Sequence, residues 1–242
     1  MYDYNYQYRK WNDGSDSNYS NTAKLYKTYL ETELKKYPKN SKVLDYGCGI
    51  GLLVNYLNQY FDNVEGVDAS ETQVNKALEK NLNIKHIPIE SYKEWIKVNH
   101  NKFDIIFLQD VLEHVDKVYQ LDFLKELVKT LSNNGIIYIK VPNANNLVGL
   151  RWRYIDWEHT SSFTEHSLDF ICHNAKLETI EYLKDETGLE PRYKYLIRPS
   201  LLGYYFKIII RKLWKIYLKQ EGELIMDKNL LNKNILVKCR KL

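Results

Sequence analysis

Val43-Leu44-Asp45-Tyr46-Gly47-Cys48-Gly49-Ile50-Gly51 runs from an apolar strand into a glycine loop. Leu52, Leu53, Tyr56, Leu57 and Tyr60 then recur at helical spacing. Glycines in such a turn let backbone approach a ligand or take positive φ, and the turn ends on the positive pole of a helix. Asn63–Val67 is a second strand with Asp68 at its end. An ionised acid there offers only acceptors, which suits ribose hydroxyls. The glycine spacing is G-x-G-x-G, not the G-x-G-x-x-G of a pyrophosphate loop. Asp45 also stands two residues ahead of Gly47. A carboxylate repels a phosphate and attracts an ammonium or sulfonium group. The segment therefore predicts a site for a cationic ribonucleoside in preference to a dinucleotide.

Outward from this segment, strand and helix keep alternating. Glu71–Lys80 reads as a helix, Ile84–Ile87 as a weaker strand, Tyr92–Val98 as a short helix and Phe103–Leu108 as a buried strand. Val118, Leu121, Leu124, Val128 and Leu131 mark a helix expected to stop near Asn133-Asn134-Gly135, before a fifth strand, Ile136–Val141. This alternation predicts an α/β fold, a parallel sheet wrapped by helices on both faces, with its ligand crevice at the C-terminal strand ends. On the N-terminal side, residues 1–40 form an arm and a helix through Leu25, Tyr29, Leu30 and Leu34. On the C-terminal side, 151–166 is too polar for a core segment and reads as a functional loop. Thr164 caps a helix Glu165–Asn174, Leu177–Leu183 and Asn234–Cys239 are strands, and Leu201–Lys219 is a helix of mixed character.

The chain has 242 residues, 44% hydrophobic and 27% charged, with a formal net charge of +4. Those values exclude a disordered or fibrous chain and leave nucleic-acid binding without support. Cys48, Cys172 and Cys239 have neither metal-ligand spacing nor the even count of a disulfide framework. No apolar run suits a signal peptide or a membrane span, so a cytoplasmic location is expected. Tyrosine is abundant, 21 against 7 phenylalanines. It supplies apolar area with a hydrogen-bonding tip, although codon bias gives the same excess.

Four blocks sit in order on these elements: Asp45-x-Gly47-Cys48-Gly49-x-Gly51, Gly66-Val67-Asp68, Phe103-Asp104-Ile105-Ile106, and Asp110-Val111-Leu112-Glu113-His114-Val115. Together they resemble the class I S-adenosylmethionine-dependent methyltransferases over about Lys42 to Asn143. The nearest group is the methyltransferase-23 and ubiquinone-biosynthesis-like one, which includes bacterial surface-polysaccharide enzymes. The resemblance implies a Rossmann-like, seven-stranded, doubly wound sheet over 41–242, with the N-terminal arm and a C-terminal lid or helical insertion at about 199–220. It implies S-adenosylmethionine as cofactor and S-adenosylhomocysteine as product. Gly47 and Gly49 would approach the methionine and ribose portions beside Cys48. Asp45 would meet the amino group, Asp68 the ribose hydroxyls and Ala69 the adenine. Glu90 with Ser91 would lie at the adenine edge, where this chain departs from the family's usual Gly-Asp pairing. Gln109 and Asp110 would close the methionine end. His114 belongs to the family pattern, and it also reads as a structural helix residue.

The acceptor region spans about 144–175. Methyl transfer mainly needs donor and nucleophile positioned and water excluded, and an alcohol needs a base. His159 is the expected base, with Asp156 and Glu158 orienting it or binding hydroxyls. Arg151 and Arg153 read as phosphate binders or as a solvated cationic loop, and His166 as a first-turn helix residue. Asn143 and, from the arm, Tyr8 complete the expected acceptor contacts. Tyr2, Tyr4, Tyr6, Tyr8 and Trp11 form either a lid or a frayed terminus. The expected acceptor is an oxygen on a sugar or surface-glycan precursor (capsule or lipopolysaccharide). The alternatives are a quinone-type small molecule, an amino sugar or a phosphorylated capsule substituent, and a non-catalytic scaffold is the rival outside enzymes. No metal-ligand cluster is evident. The helix 201–219 reads as a packed element, a homodimer contact or a peripheral contact with the inner membrane face.

Overall fold

The computed structural model describes residues 14–184, 199–222 and 231–242. The arm residues Tyr2, Tyr4, Tyr6, Tyr8 and Trp11 lie outside the described residues. One seven-stranded sheet organises the rest: β1 (Lys42–Tyr46), β2 (Asn63–Asp68), β3 (Ile84–His86), β4 (Phe103–Gln109), β5 (Leu131–Pro142), β6 (Leu177–Leu183) and β7 (Asn234–Lys241). The strand order is β3-β2-β1-β4-β5-β7-β6. Pairings among β1 to β5 are parallel, while β7 runs antiparallel to both β5 and β6. The expected doubly wound sheet is therefore mixed. The order reverses between β1 and β4, which puts the ligand crevice of an open α/β sheet at their C-terminal ends.

The helices are α1 (Asp16–Leu34), α2 (Leu52–Leu57), α3 (Glu71–Leu78), α4 (Tyr92–Val98), α5 (Gln120–Val128), α6 (Gly149–Ile155), α7 (Glu165–Asn174) and α8 (Pro199–Gln220). Leu30 and Leu34 of α1 share one core with Leu53, Val54 and Leu57 of α2 and Val74 and Ala77 of α3. Trp95, Leu124, Leu127 and Leu168 bring α4, α5 and α7 into the other. Two cores on two faces make the three-layer architecture that the alternating pattern predicts.

Three local readings need correction. Helix α5 ends at Val128, not near Gly135, and β5 begins at Leu131. The Asn-Asn-Gly run lies inside an irregular start of β5, where the pairing with β4 shifts register and Asn134 takes φ 61°. Residues 149–155, read as loop, form α6; only 156–164 is irregular. Helix α7 is as expected: Thr164 accepts from the Ser167 N–H, and the Ser167 side chain takes the Thr164 N–H in return. No described helix is long and apolar enough to cross a membrane.

Candidate active site

The cofactor end is built where β1, β2 and β4 finish. Gly47 and Gly49 adopt φ 76° and 54°, which favour glycine. A Cβ on Gly47 would come within 2.3 Å of Val111 Cγ2, so the turn after β4 closes directly over the loop. The Gly47 and Cys48 N–H groups donate to Val67 C=O at 2.8 and 3.0 Å, pinning the loop to β2. The Gly49 N–H donates to Asp68 Oδ2 at 2.7 Å and the Ser70 N–H to Oδ1 at 2.8 Å. Asp68 thus shapes the loop as well as standing at the predicted ribose position.

Asp45 is buried at the end of β1. Burial, then the negative Asp68, pushes its carboxyl up to about 8, while Lys140 pulls it down. Gln109 ends β4 with its Nε2 buried and without a partner. The Tyr29 O–H donates to Gln109 Oε1 at 3.4 Å. Asp110 takes φ 56°, and its Oδ2 pairs with Lys140 Nζ at 2.7 Å. A zwitterionic amino-acid head with a neighbouring cationic sulfur fits these groups. Asp45, once ionised, would accept from an ammonium, and the Gln109 amide, with Lys140 beside it, would suit a carboxylate.

Three further predicted positions lie at this end. The Cys48 side chain packs into the core on the α1–α3 side, and burial raises its thiol well above the usual range. Glu90 and Ser91 sit in an exposed single 3₁₀ turn after β3. Ala69 is exposed at the end of β2, and its carbonyl contacts His86 Nε2 at 3.0 Å.

The acceptor end joins two distant segments. Thr160 ties the loop after α6 to the turn after β4: its N–H donates to Glu113 C=O at 2.7 Å and its hydroxyl to Val115 C=O at 2.7 Å. Buried Gln120 donates to Leu112 C=O, Val115 C=O and Ser161 Oγ. These bonds bring His159 against His114, ring centroids 4.7 Å apart in an edge-on contact. His159 Nδ1 lies 2.8 Å from Trp152 C=O. Since a carbonyl only accepts, Nδ1 carries the proton, and in the neutral ring Nε2 holds the lone pair. Arg153 donates to His159 C=O and so helps to position the loop.

Asp156 is buried, and its Oδ1 accepts the Glu158 N–H at 2.9 Å. Arg151 is exposed and His166 lies on the first turn of α7. Asn143 is a correction: its side chain is fully buried, donating to Asn232 C=O at 2.7 Å and accepting the Asn145 N–H at 2.9 Å. It pins the end of β5 and does not face an acceptor.

Glu113 is fully buried, and neither carboxyl oxygen has a hydrogen-bond partner. Burial, then Asp110, pushes it well above the ordinary carboxylate range. Burial, then His159, pushes His114 down to about 4. Ligand atoms of Glu113, His114 and His159 all lie within 4.8 Å of one another, a donor set that also suits a divalent cation. Linear spacing does not show this grouping, because two remote segments assemble it.

The residues that sequence reasoning missed are Glu113, Lys140, Thr160, Gln120 and the inward tyrosines of α1. Tyr19 donates to Ile50 C=O. Tyr26 lies close enough to Lys140, Asp45 and Asp110 for their charges to act on its phenol. The tyrosine excess was the signal available for α1.

The fold, with its glycine loop and the carboxylates of Asp45 and Asp68 at the strand ends, is that of a Rossmann-like nucleoside binder. A methyltransferase-domain family model matches residues 19–182, and the chain belongs to that family. S-adenosylmethionine, with S-adenosylhomocysteine as product, is the cofactor that the family and the fold imply. Among curated relatives, the ubiquinone biosynthesis O-methyltransferase of Pelagibacter ubique is 35% identical over 135 residues, 50% of this chain and 55% of the relative. That of Rickettsia bellii is 31% identical over 106 residues, 42% of each. The chain thus spans about half the length of the curated relatives it matches. A SAM-dependent methyltransferase from Archaeoglobus fulgidus shares the fold, with a TM-score of 0.64 at 20% identity over 99% of this chain and 100% of that one.

Proposed function

We propose that the chain is an S-adenosylmethionine-dependent O-methyltransferase of a small quinone-type or phenolic acceptor, with His159 as general base. The observation that carries the reading is the His159 Nδ1 contact with Trp152 C=O at 2.8 Å, which leaves Nε2 to take a proton. The bound cofactor supplies a methyl group on a positively charged sulfur. The chain's residues hold that cofactor through Asp45, Asp68 and Gln109, fix the acceptor loop through Thr160 and Arg153, and remove the acceptor proton at His159 Nε2. A phenol near pKa 10 lies closer to imidazole than an aliphatic alcohol does, which favours an aromatic hydroxyl over a sugar. The names of the Pelagibacter and Rickettsia relatives support the same preference.

A panel of catechol- and hydroxyquinone-type compounds and nucleotide-sugars, incubated with cofactor and read by mass spectrometry, tests the reading. A mass gain of one methylene confined to the aromatic set is expected, and a gain confined to the sugars restores the glycan alternative. Absence of cofactor binding in calorimetry would mark a scaffold. The unpartnered Glu113 oxygens favour one further reading of the trio, as ligands of a divalent cation that acidifies the acceptor hydroxyl. Loss of turnover in EDTA with recovery in Mg²⁺ or Mn²⁺ singles it out; insensitivity leaves His159 as the base.

A further inference from the structure

We propose that α8 is an interfacial helix that seats this protein on an anionic lipid surface. The helix is 22 residues long and enters between β6 and β7. Its body-facing side is fastened: Trp214 Nε1–H donates to Asn145 C=O at 2.9 Å and Arg211 to Asn232 Oδ1 at 3.2 Å. Ile208, Ile210 and Leu218 are half-buried on that side.

The opposite side is apolar and points outward. Leu202, Tyr205, Phe206, Ile209, Leu213 and Ile216 are between 53% and 69% exposed. At 3.6 residues per turn they form one continuous stripe. Soluble helices carry the reverse arrangement, with the polar face outward.

Charge selects the occupant. The helix holds Lys207, Arg211, Lys212, Lys215 and Lys219 and no acidic residue. Lys212, Lys215 and Lys219 are exposed along one flank of the stripe. A second copy packed on this face by two-fold symmetry would bring like charges together, whereas anionic headgroups would neutralise them. A basic flank beside an outward apolar stripe is the composition of a helix lying in the headgroup boundary. Asn145, which Trp214 holds, leads from β5 into α6 and the acceptor loop, so seating α8 brings that loop near the lipid. The placement is independent of the acceptor's identity.

Flotation of the full chain with phosphatidylglycerol and with phosphatidylcholine vesicles tests this. The protein should float with the first, release as salt rises, and stay behind with the second. The double variant I209E/L213E should abolish flotation. The triple variant K212Q/K215Q/K219Q should weaken partitioning roughly 100-fold. Both should bind S-adenosylhomocysteine like the parent, which shows that they fold. No flotation of the parent, equal flotation with both lipids, or flotation untouched by I209E/L213E overturns the proposal. So does a dimer in light scattering that I209E/L213E dissolves without any vesicle binding.

Discussion

Asp45 shows how one side chain sets opposing demands on folding and binding. In the unfolded chain its carboxyl has the ordinary aspartate value near 3.8, and in the folded chain burial raises it to about 8. Between those values the folded state holds more protons than the unfolded one, so this group's contribution to stability falls as pH rises from about 4 to about 8. The cofactor's ammonium needs the ionised form. Binding at pH 7 should therefore release close to one proton, seen as a buffer-dependent calorimetric enthalpy. Affinity should rise by up to about tenfold per pH unit towards pH 8, until the cofactor's α-amino group, itself near 8, begins to lose its charge. Asp45→Asn should make the ligand-free protein more stable at pH 8 by roughly 1–2 kcal/mol in urea melts, while cofactor affinity drops at least about 100-fold. A destabilised Asn variant would show that the carboxylate is satisfied in the free protein. His159→Ala should lower kcat by roughly 10²–10⁴ with cofactor affinity unchanged. Full turnover in that variant would remove His159 as the base.

At the scale of elements, α1 packs against the candidate site through Tyr26 and Tyr29. Glu33 on α1 pairs with Lys238 of β7 at 2.9 Å, and the Tyr37 and Tyr138 hydroxyls meet at 2.7 Å. Those bonds fix the helix that carries Tyr26 and Tyr29 to the strand ends. Tyr29→Phe should free the Gln109 amide to rotate and weaken cofactor binding about fivefold, the worth of one neutral hydrogen bond, with the melting temperature nearly unchanged. A wild-type dissociation constant would mean that Gln109 is held some other way.

The glycine loop and the strand-end positions of Asp45 and Asp68 were legible in the sequence because local spacing encodes them. So were the Thr164 cap and the bounds of α7. The Glu113–His114–His159 grouping was not, because Thr160 and Gln120 create it through contacts between remote segments. The helical state of 149–155 was hidden because its apolar residues mark no buried face: α6 buries only Gly149, so periodicity had little to report. Asn143 misled for a related reason, since a polar residue at a strand end looks the same whether it faces a ligand or ties two backbones.

Across the whole molecule, the candidate cofactor site is bordered by β1, β2, β4 and α1, so a ligand held there would be linked to the fold. Ligand bound only to the native state at 100 times its dissociation constant adds about 2.7 kcal/mol. For a chain of this size that raises the melting temperature by roughly 5–10 °C. S-adenosylmethionine and S-adenosylhomocysteine should both give a shift in this range by calorimetry, and NAD should give none. Asp68 separates the ligand's share from the loop's. Its two oxygens hold the Gly49 and Ser70 N–H groups, so Asp68→Ala should lower the ligand-free melting temperature as well as erase the shift. Asp68→Asn keeps one acceptor oxygen for that backbone and loses the charge. It should melt closer to the parent without ligand while still losing most of the ligand-induced shift. If Asp68→Asn kept the full shift, Asp68 would serve the loop alone, and the ribose would have to be held by another group at the β2 end.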